Sequence, residues 1–249
     1  LNKIAERTIG YERISQDDNF SGVGLEHAFG SKLRGKNGLQ LMQKISNGKW
    51  KPISSSNKIE PIPGNDIIST INVGFQDITH HSLLKQLEDF EADHGTAVVM
   101  ETNTGEIKAI SNLGRTSEGK YYEKLNYAVG EHFEPGSTFK LMSVIAAFED
   151  DKVEPNTIID TEKGVLSFYG NKVRDSKPGG YGKISVNEAF KFSSNTGIVK
   201  IISESYGNEP HKFSDRLFNM GLNNKLGLSI LGESSPRIPH PNDKNWNGL

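Results

Sequence analysis

A serine and a lysine three residues apart are the residues of this sequence best suited to nucleophilic chemistry. Ser137 and Lys140 follow Pro135-Gly136 and open the apolar run 141–148. In a helix, this spacing puts both side chains on one face. The positive end of a helix and low solvation both favour a neutral amine, so Lys140 can take the proton of Ser137 at ordinary pH. We therefore predict a serine nucleophile with a lysine base, at the start of a helix buried on all sides.

The Ser-x-x-Lys pattern alone is weak, because it recurs elsewhere in the chain. Its other copies are Ser46/Lys49, Ser55/Lys58, Ser82/Lys85 and Ser117/Lys120. Ser137 alone combines a preceding Pro-Gly with a following apolar helix. This context, rather than the pattern, favours catalysis.

A second candidate is the segment Ser193-Ser194-Asn195, which lies between two helical stretches. Ser and Asn favour helix starts, so plain capping is an alternative explanation for these residues. The combination of this turn with a Ser/Lys helix start in one mixed chain favours a functional role for Ser193 and Asn195 over capping.

The periodicity of the rest predicts the elements that position these residues. We predict helices over 75–90, 187–192, 196–206 and 214–220, a strand over 67–72, and hairpins over 97–111 and 164–174. The long helix should bury Phe75, Ile78, Leu83, Leu84, Leu87 and Phe90 on one face. The predicted helices and strands do not alternate in a repeated βαβ order, which predicts an α+β fold with an antiparallel sheet.

Composition narrows the function further. The chain has 249 residues, of which 34% are hydrophobic and 24% charged, enough for one or two domains. A net charge of −2 gives no basic surface for nucleic acid. The absence of cysteine excludes disulfides and thiolate metal sites. No signal peptide or long apolar run is present and the first residue is not Met, so we expect an anchor or leader outside this sequence.

Other catalytic patterns are absent from the sequence or incomplete. The segment from Gly30 to Lys36 imitates a phosphate-binding loop, but Asn37 stands where Ser or Thr must hold magnesium. Neither Gly-x-Ser-x-Gly nor His-Glu-x-x-His occurs. His132 lies near Ser137 in sequence, but we interpret it as a loop residue because a Ser/Lys pair needs no histidine.

The segments Glu134–Lys140 and Ser193–Asn195 together resemble the first and second active-site motifs of the penicillin-binding proteins. The similarity extends to class B members, the monofunctional division-type peptidoglycan transpeptidases, through Arg7–Gly10, Gly24–Glu26, Leu33–Gly35 and Thr102–Ala109. It implies the penicillin-binding-protein transpeptidase fold over residues 67–249, an antiparallel sheet with helices on both faces, here incomplete. A small extended pedestal module with a linker would occupy residues 1–66.

The resemblance also implies the chemistry. Ser137 would attack the D-Ala-D-Ala bond of a peptidoglycan stem peptide, and Lys140 would be the base. Ser193 would relay a proton, and Asn195 would bind the substrate backbone. β-Lactams would acylate Ser137. Other cell-wall synthesis and division proteins are implied as partners, no cofactor or metal is implied, and the expected location is the periplasmic face of the cytoplasmic membrane.

One departure from the family leaves alternatives open. Its third motif, Lys-Thr-Gly or Lys-Ser-Gly on a sheet strand, is absent from these 249 residues. We therefore expect the sequence to be a shortened part of a longer protein and to react poorly with β-lactams. A non-catalytic scaffold at the division site is one alternative. A serine β-lactamase or β-lactam sensor is another, although the first 66 residues resemble a pedestal module that a compact β-lactamase lacks.

Overall fold

The computed structural model describes residues 4–17, 19–53, 58–168, 170–244 and 246 of the chain. The chain divides into two compact units. The first comprises residues 1–131 and 227–234, and the second comprises residues 132–226 and 235–249. The predicted boundary between residues 66 and 67 falls inside the first unit, so the division into a pedestal module and a transpeptidase domain stays a prediction. Among the described residues, no helix has the length and apolar character needed to cross a membrane.

The first unit combines short N-terminal elements with one long helix and a three-stranded sheet. Its helices are α1 (Glu6–Ile9), α2 (Gly24–Ala28), α3 (Gly30–Leu33), α4 (Val73–Phe90) and α5 (Tyr127–Gly130). Its strands are β1 (Tyr11–Ile14), β2 (Phe20–Val23), β3 (Met42–Lys44), β4 (Trp50–Pro52), β5 (His94–Met100), β6 (Ile107–Arg115) and β7 (Tyr121–Tyr122). A 3₁₀ turn, Ser46–Gly48, separates β3 from β4. The sheets are β1-β2, β3-β4 and β5-β6-β7, and every pairing is antiparallel.

The predicted hairpin over 97–111 is confirmed as β5 and β6. The Glu101 N–H donates to Glu106 O at 2.9 Å, and the Gly105 N–H donates back to Glu101 O at 2.8 Å. Gly105 has a φ of +74°, which glycine adopts without strain, and this conformation closes the turn.

Two predictions in this unit are wrong. Residues 67–72 form no strand; Ile68 is 97% exposed, and Ile67 and Ile71 are only half-buried. The buried face of α4 also differs, since Phe75 and Ile78 are exposed while Leu87 is buried. The Gln76 amide, 2% exposed, bonds both the N–H and the carbonyl of Ile110 at 2.9 Å. These two bonds satisfy strand groups that would otherwise be buried unpaired, and they set which face of the helix meets the sheet.

The second unit surrounds its core with helices and two small two-stranded sheets, one of which is a hairpin. It contains a 3₁₀ turn (Gly136–Phe139), α6 (Lys140–Glu149), β8 (Ile158–Asp160), β9 (Val165–Phe168), β10 (Asn171–Arg174), β11 (Lys183–Ser185), α7 (Val186–Lys191), α8 (Asn195–Tyr206) and α9 (Pro210–Asn219). β9 pairs with β10 and β8 with β11, both antiparallel. The predicted helices and the 164–174 hairpin are confirmed, as is the α+β class with antiparallel pairing.

Helices α6 and α8 meet in the core of this unit. The buried cluster comprises Val144, Ala147, Ile159, Val186, Ile198, Ile201, Ile202 and Tyr206. Leu141 is 43% exposed, so the prediction that α6 is buried on all sides is wrong. The helix buries one broad face, and its first turn reaches the surface.

Tyr206 fixes α8 against the end of α6. Its hydroxyl lies 2.9 Å from Ala146 O and 2.8 Å from Asp150 Oδ2. Burial and the Asp150 carboxylate raise the pKa of Tyr206, so the hydroxyl stays protonated and donates. Arg216 Nε donates to Asp150 Oδ1 at 2.8 Å and neutralises that carboxylate. The two helices that carry the candidate residues are therefore held in fixed register.

Candidate active site

At the start of α6, the side chain of Ser137 is exposed to solvent and that of Lys140 is half-buried. Gly136 has a φ of +60°, which turns the chain into the 3₁₀ turn that carries Ser137. The Ser137 side chain is exposed, whereas Lys140, the first α-helical residue, is half-buried. The predicted helix is confirmed, with Lys140 as its first residue and Ser137 in the 3₁₀ turn that leads into it.

Ser193 and Ser194 close α7 and open α8. The N–H groups of Ser193 and Ser194 donate to Phe190 O at 3.0 Å and Ala189 O at 2.8 Å, which is the Schellman pattern of a helix end. Ser193 has a φ of +54° at the position where that pattern favours glycine. Ser194 Oγ accepts from the Gly197 N–H at 2.9 Å and caps α8. The capping alternative therefore holds for Ser194.

Lys140 joins the two halves of the site. Its ammonium Nζ donates to Ser193 O at 2.6 Å and to Ser193 Oγ at 2.9 Å. It also donates to Asn195 Oδ1. The Asn195 amide nitrogen in turn donates to Arg174 O at 2.7 Å, at the end of β10. Three of the four predicted site residues thus meet around one nitrogen.

Ser137 stands apart from this cluster. Within the described part of the chain, no hydrogen bond joins its hydroxyl to Lys140, Ser193 or Asn195. Hydrogen bonds used in catalysis are often long before substrate binds and tighten in the substrate complex. Ser137 lies three residues before Lys140, a spacing at which side chains of a helical segment are neighbours.

The surroundings of Lys140 favour its role as a general base. Burial lowers the pKa of Lys140, because the charged ammonium loses solvation, and the negative charge of Asp175 acts in the opposite direction. The net direction is downward. A lysine in this position is therefore neutral in a larger fraction of molecules than an exposed lysine is at the same pH.

Sequence reasoning missed Asp175 and its partners. Thr196 N–H and Oγ1 donate to the Asp175 carboxylate at 2.9 and 2.7 Å, and Ser194 Oγ donates to it at 3.1 Å. Ser194 and Thr196 are fully buried. Asp175 follows β10 and precedes Pro178-Gly179, a context that indicates a loop, so no sequence pattern connects it to Lys140.

His132 behaves as predicted for a loop residue. Its Nε2 lies 2.6 Å from the carbonyl oxygen of Ser235, in the same unit. No hydrogen bond connects it with Ser137 or Lys140 among the described residues.

Comparison with known proteins points to one family. The family model described as the penicillin binding protein transpeptidase domain matches residues 95–248. Peptidoglycan D,D-transpeptidase FtsI of Buchnera aphidicola is 28% identical over 256 aligned positions, covering 100% of this chain and 42% of the relative. Stage V sporulation protein D of Bacillus subtilis is 28% identical, covering 88% of this chain and 34% of the relative. The chain thus spans less than half the length of these curated relatives.

A solved structure supports the fold. Penicillin binding protein 3 of Mycobacterium tuberculosis superposes with a TM-score of 0.70 at 22% identity, over 95% of this chain and 49% of that chain. This likeness concerns the fold, and the roles of individual residues rest on the geometry described above.

Proposed function

The chain belongs to the penicillin-binding protein transpeptidase family, and from this premise we propose that it provides the serine nucleophile of a peptidoglycan D,D-transpeptidase. One observation carries the proposal. A half-buried lysine, one turn after an exposed serine, donates to the hydroxyl of Ser193 and to the amide of Asn195. This arrangement supplies a nucleophile, a base and a proton relay without histidine or metal.

The proposed acylation proceeds in two stages. Lys140 Nζ takes the proton of Ser137 Oγ while that oxygen bonds to the carbonyl carbon of the D-Ala-D-Ala link. The C–N bond then breaks, and the departing nitrogen receives a proton from Ser193 Oγ, which Lys140 replaces. The stem peptide remains as an ester on Ser137, and the terminal D-alanine leaves. Ser193 can act as this relay because its hydroxyl lies 2.9 Å from Lys140 Nζ.

Deacylation restores the site. The amine of a neighbouring stem peptide attacks the ester carbon and loses a proton to the Lys140 and Ser193 pair. The C–O bond to Ser137 breaks as Lys140 returns a proton to Ser137 Oγ, and the new amide crosslinks the two peptides. The Ser137 N–H would donate to the oxyanion in both steps, a contribution of about 2.7–4 kcal/mol for one donor.

Asn195 is proposed to bind the substrate backbone. Its Oδ1 accepts from Lys140, and its Nδ2 donates to the Arg174 carbonyl. A stem peptide lying along the cleft can exchange with the Arg174 contact and accept from Nδ2. Because Asn195 also touches Lys140, binding and proton transfer share one side chain.

Further parts of the proposal concern ligands and location. β-Lactams carry a strained amide that mimics the D-Ala-D-Ala link, so they would acylate Ser137 as well. Peptidoglycan lies outside the cytoplasmic membrane, and the proposed site of action is therefore its periplasmic face. Other cell-wall synthesis and division proteins are the proposed partners.

The nucleophile is tested by labelling the full-length protein with fluorescent penicillin. We expect one adduct, on the peptide that contains Ser137, and none in the variant Ser137→Ala. Ser143→Ala is a matched control, since this serine lies on the same helix with its hydroxyl 3.3 Å from Phe139 O. An adduct on Ser193, or on any peptide without Ser137, would refute the assignment.

The 249-residue chain itself is expected to react slowly with β-lactams. It contains no Lys-Ser-Gly or Lys-Thr-Gly segment, so the donor that this motif supplies to the oxyanion is missing. Loss of one such donor lowers the rate by about 10²–10³. Intact-mass spectrometry after incubation with excess penicillin measures the reaction. Rapid stoichiometric addition of one acyl group would contradict the expectation, whereas complete inertness of the full-length protein would favour the scaffold alternative.

A further inference from the structure

The Asp175 carboxylate accepts hydrogen bonds from Ser194 and Thr196, and among the described residues it has none with Ser137, Lys140, Ser193 or Asn195. We propose that Asp175 positions the Ser193-Asn195 turn and acts on Lys140 through its negative charge, an inference that rests on the proposed function. Its carboxylate links the loop after β10 to the N-terminal cap of α8, and its negative charge acts on Lys140.

The positioning role follows from the hydrogen bonds. Thr196 N–H donates to Oδ1 at 2.9 Å, Thr196 Oγ1 donates to Oδ2 at 2.7 Å, and Ser194 Oγ lies 3.1 Å from Oδ1 and 3.2 Å from Oδ2. Ser194 and Thr196 are 0% exposed. Breaking the bonds of Ser194 and Thr196 to the carboxylate would cost free energy, because each donor would be left unpaired away from water.

The alternation of residues explains why this cluster matters for the site. Ser194 and Thr196 point to Asp175, whereas Ser193 and Asn195, their neighbours in sequence, point to Lys140. The even residues therefore anchor the segment and the odd residues present its functional groups. Ser193 holds a left-handed conformation with a φ of +54°, which persists only when surrounding contacts determine it.

The electrostatic role follows from the other groups around Lys140. The α7–α8 turn contributes Ser193 and Asn195, which carry no charge. The Arg174 side chain is exposed, and this residue approaches the site through its carbonyl. Asp175 supplies the opposing negative charge, which keeps Lys140 protonated to a higher pH than burial alone would allow.

Asp175→Asn is the decisive variant, because it keeps the shape and an acceptor but removes the charge. We expect the plateau rate of penicillin acylation to fall about tenfold to a hundredfold as the turn loosens. We also expect the acid limb of the rate–pH profile to move to lower pH. The sign follows because loss of the negative charge lowers the pKa of Lys140, so the neutral amine persists at lower pH. A purely structural role for Asp175 would reduce the plateau without moving the limb.

Controls separate charge from shape. Ser194→Ala removes one donor but keeps the carboxylate, so its plateau should fall while its acid limb stays in place. Asp66→Asn removes the same charge at an exposed position and should change neither quantity. Circular dichroism and thermal unfolding establish that each variant is folded.

A second readout does not depend on activity. With ¹³C-labelled lysine, the NMR titration of the Lys140 side chain, assigned by its absence in Lys140→Arg, should shift to lower pH in Asp175→Asn. If that variant does not fold, Asp175→Glu keeps the charge but displaces the carboxylate, so it should lower the acylation plateau and leave the Lys140 titration close to wild type. An unmoved acid limb together with an unmoved Lys140 titration in Asp175→Asn overturns the inference, as does a wild-type plateau in Asp175→Glu. If wild-type Ser137 is not acylated at all, the proposed function fails, and the titration alone decides the electrostatic role of Asp175.

Discussion

Lys140→Arg is expected to abolish acylation of Ser137 in the full-length protein while the fold stays intact. Arginine keeps the positive charge and can donate to Ser193 and Asn195, but it cannot release its proton inside a protein. General base catalysis contributes about 10²–10⁴ in rate. Because Lys140 is also the proton source for the Ser193 relay, the loss should reach about 10³ or more.

The measurement is the rate of fluorescent penicillin labelling, with thermal unfolding as the test of the fold. Lys200→Arg is a matched control. Lys200 lies on α8 in the same unit and pairs with Glu162 at 2.6 Å, so arginine can replace it without loss of charge or partner. We expect wild-type labelling in this variant. Labelling of Lys140→Arg within tenfold of wild type would mean that another group is the base.

Ser193→Gly is expected to separate stability from activity. A non-glycine residue in the left-handed conformation costs about 1–2 kcal/mol, and glycine relieves this cost. Glycine also loses more backbone entropy on folding, by about 0.5–1 kcal/mol, so the free energy of unfolding should rise by about 0.5–1 kcal/mol. Acylation should nevertheless fall by about 10²–10³, because the hydroxyl that lies 2.9 Å from Lys140 Nζ is gone.

Ser193→Ala is the control that completes this experiment. It removes the same hydroxyl but keeps the strained φ of +54°, so it should lose acylation to the same extent without gaining stability. Denaturant unfolding and penicillin labelling of both variants are the measurements. Acylation within threefold of wild type in either variant would exclude Ser193 as the relay. Equal stability of the two variants would show that the left-handed conformation carries no strain worth relieving.

The sequence determined the local parts of this site. The three-residue spacing of Ser137 and Lys140 fixes their common place at a helix start, because helical geometry depends only on nearby residues. Ser194 begins α8 for the same reason, since a helix cap bonds an N–H three residues away. The hairpin of β5 and β6 is also local, because Gly105 closes it within a few residues. Short-range hydrogen bonds and side-chain periodicity are sufficient for each of these features.

The tertiary structure decided which residues meet. Lys140 contacts Ser193 across 53 positions of sequence, and Asp175 bonds Thr196 across 21. No periodicity encodes such pairs, because the packing of α6 against α8 and the return of β10 bring them together. The buried face of α4 was likewise set by Gln76 bonding a strand rather than by its apolar residues. Burial then lowered the pKa of Lys140, and solvent exclusion of that kind exists only once the chain has folded.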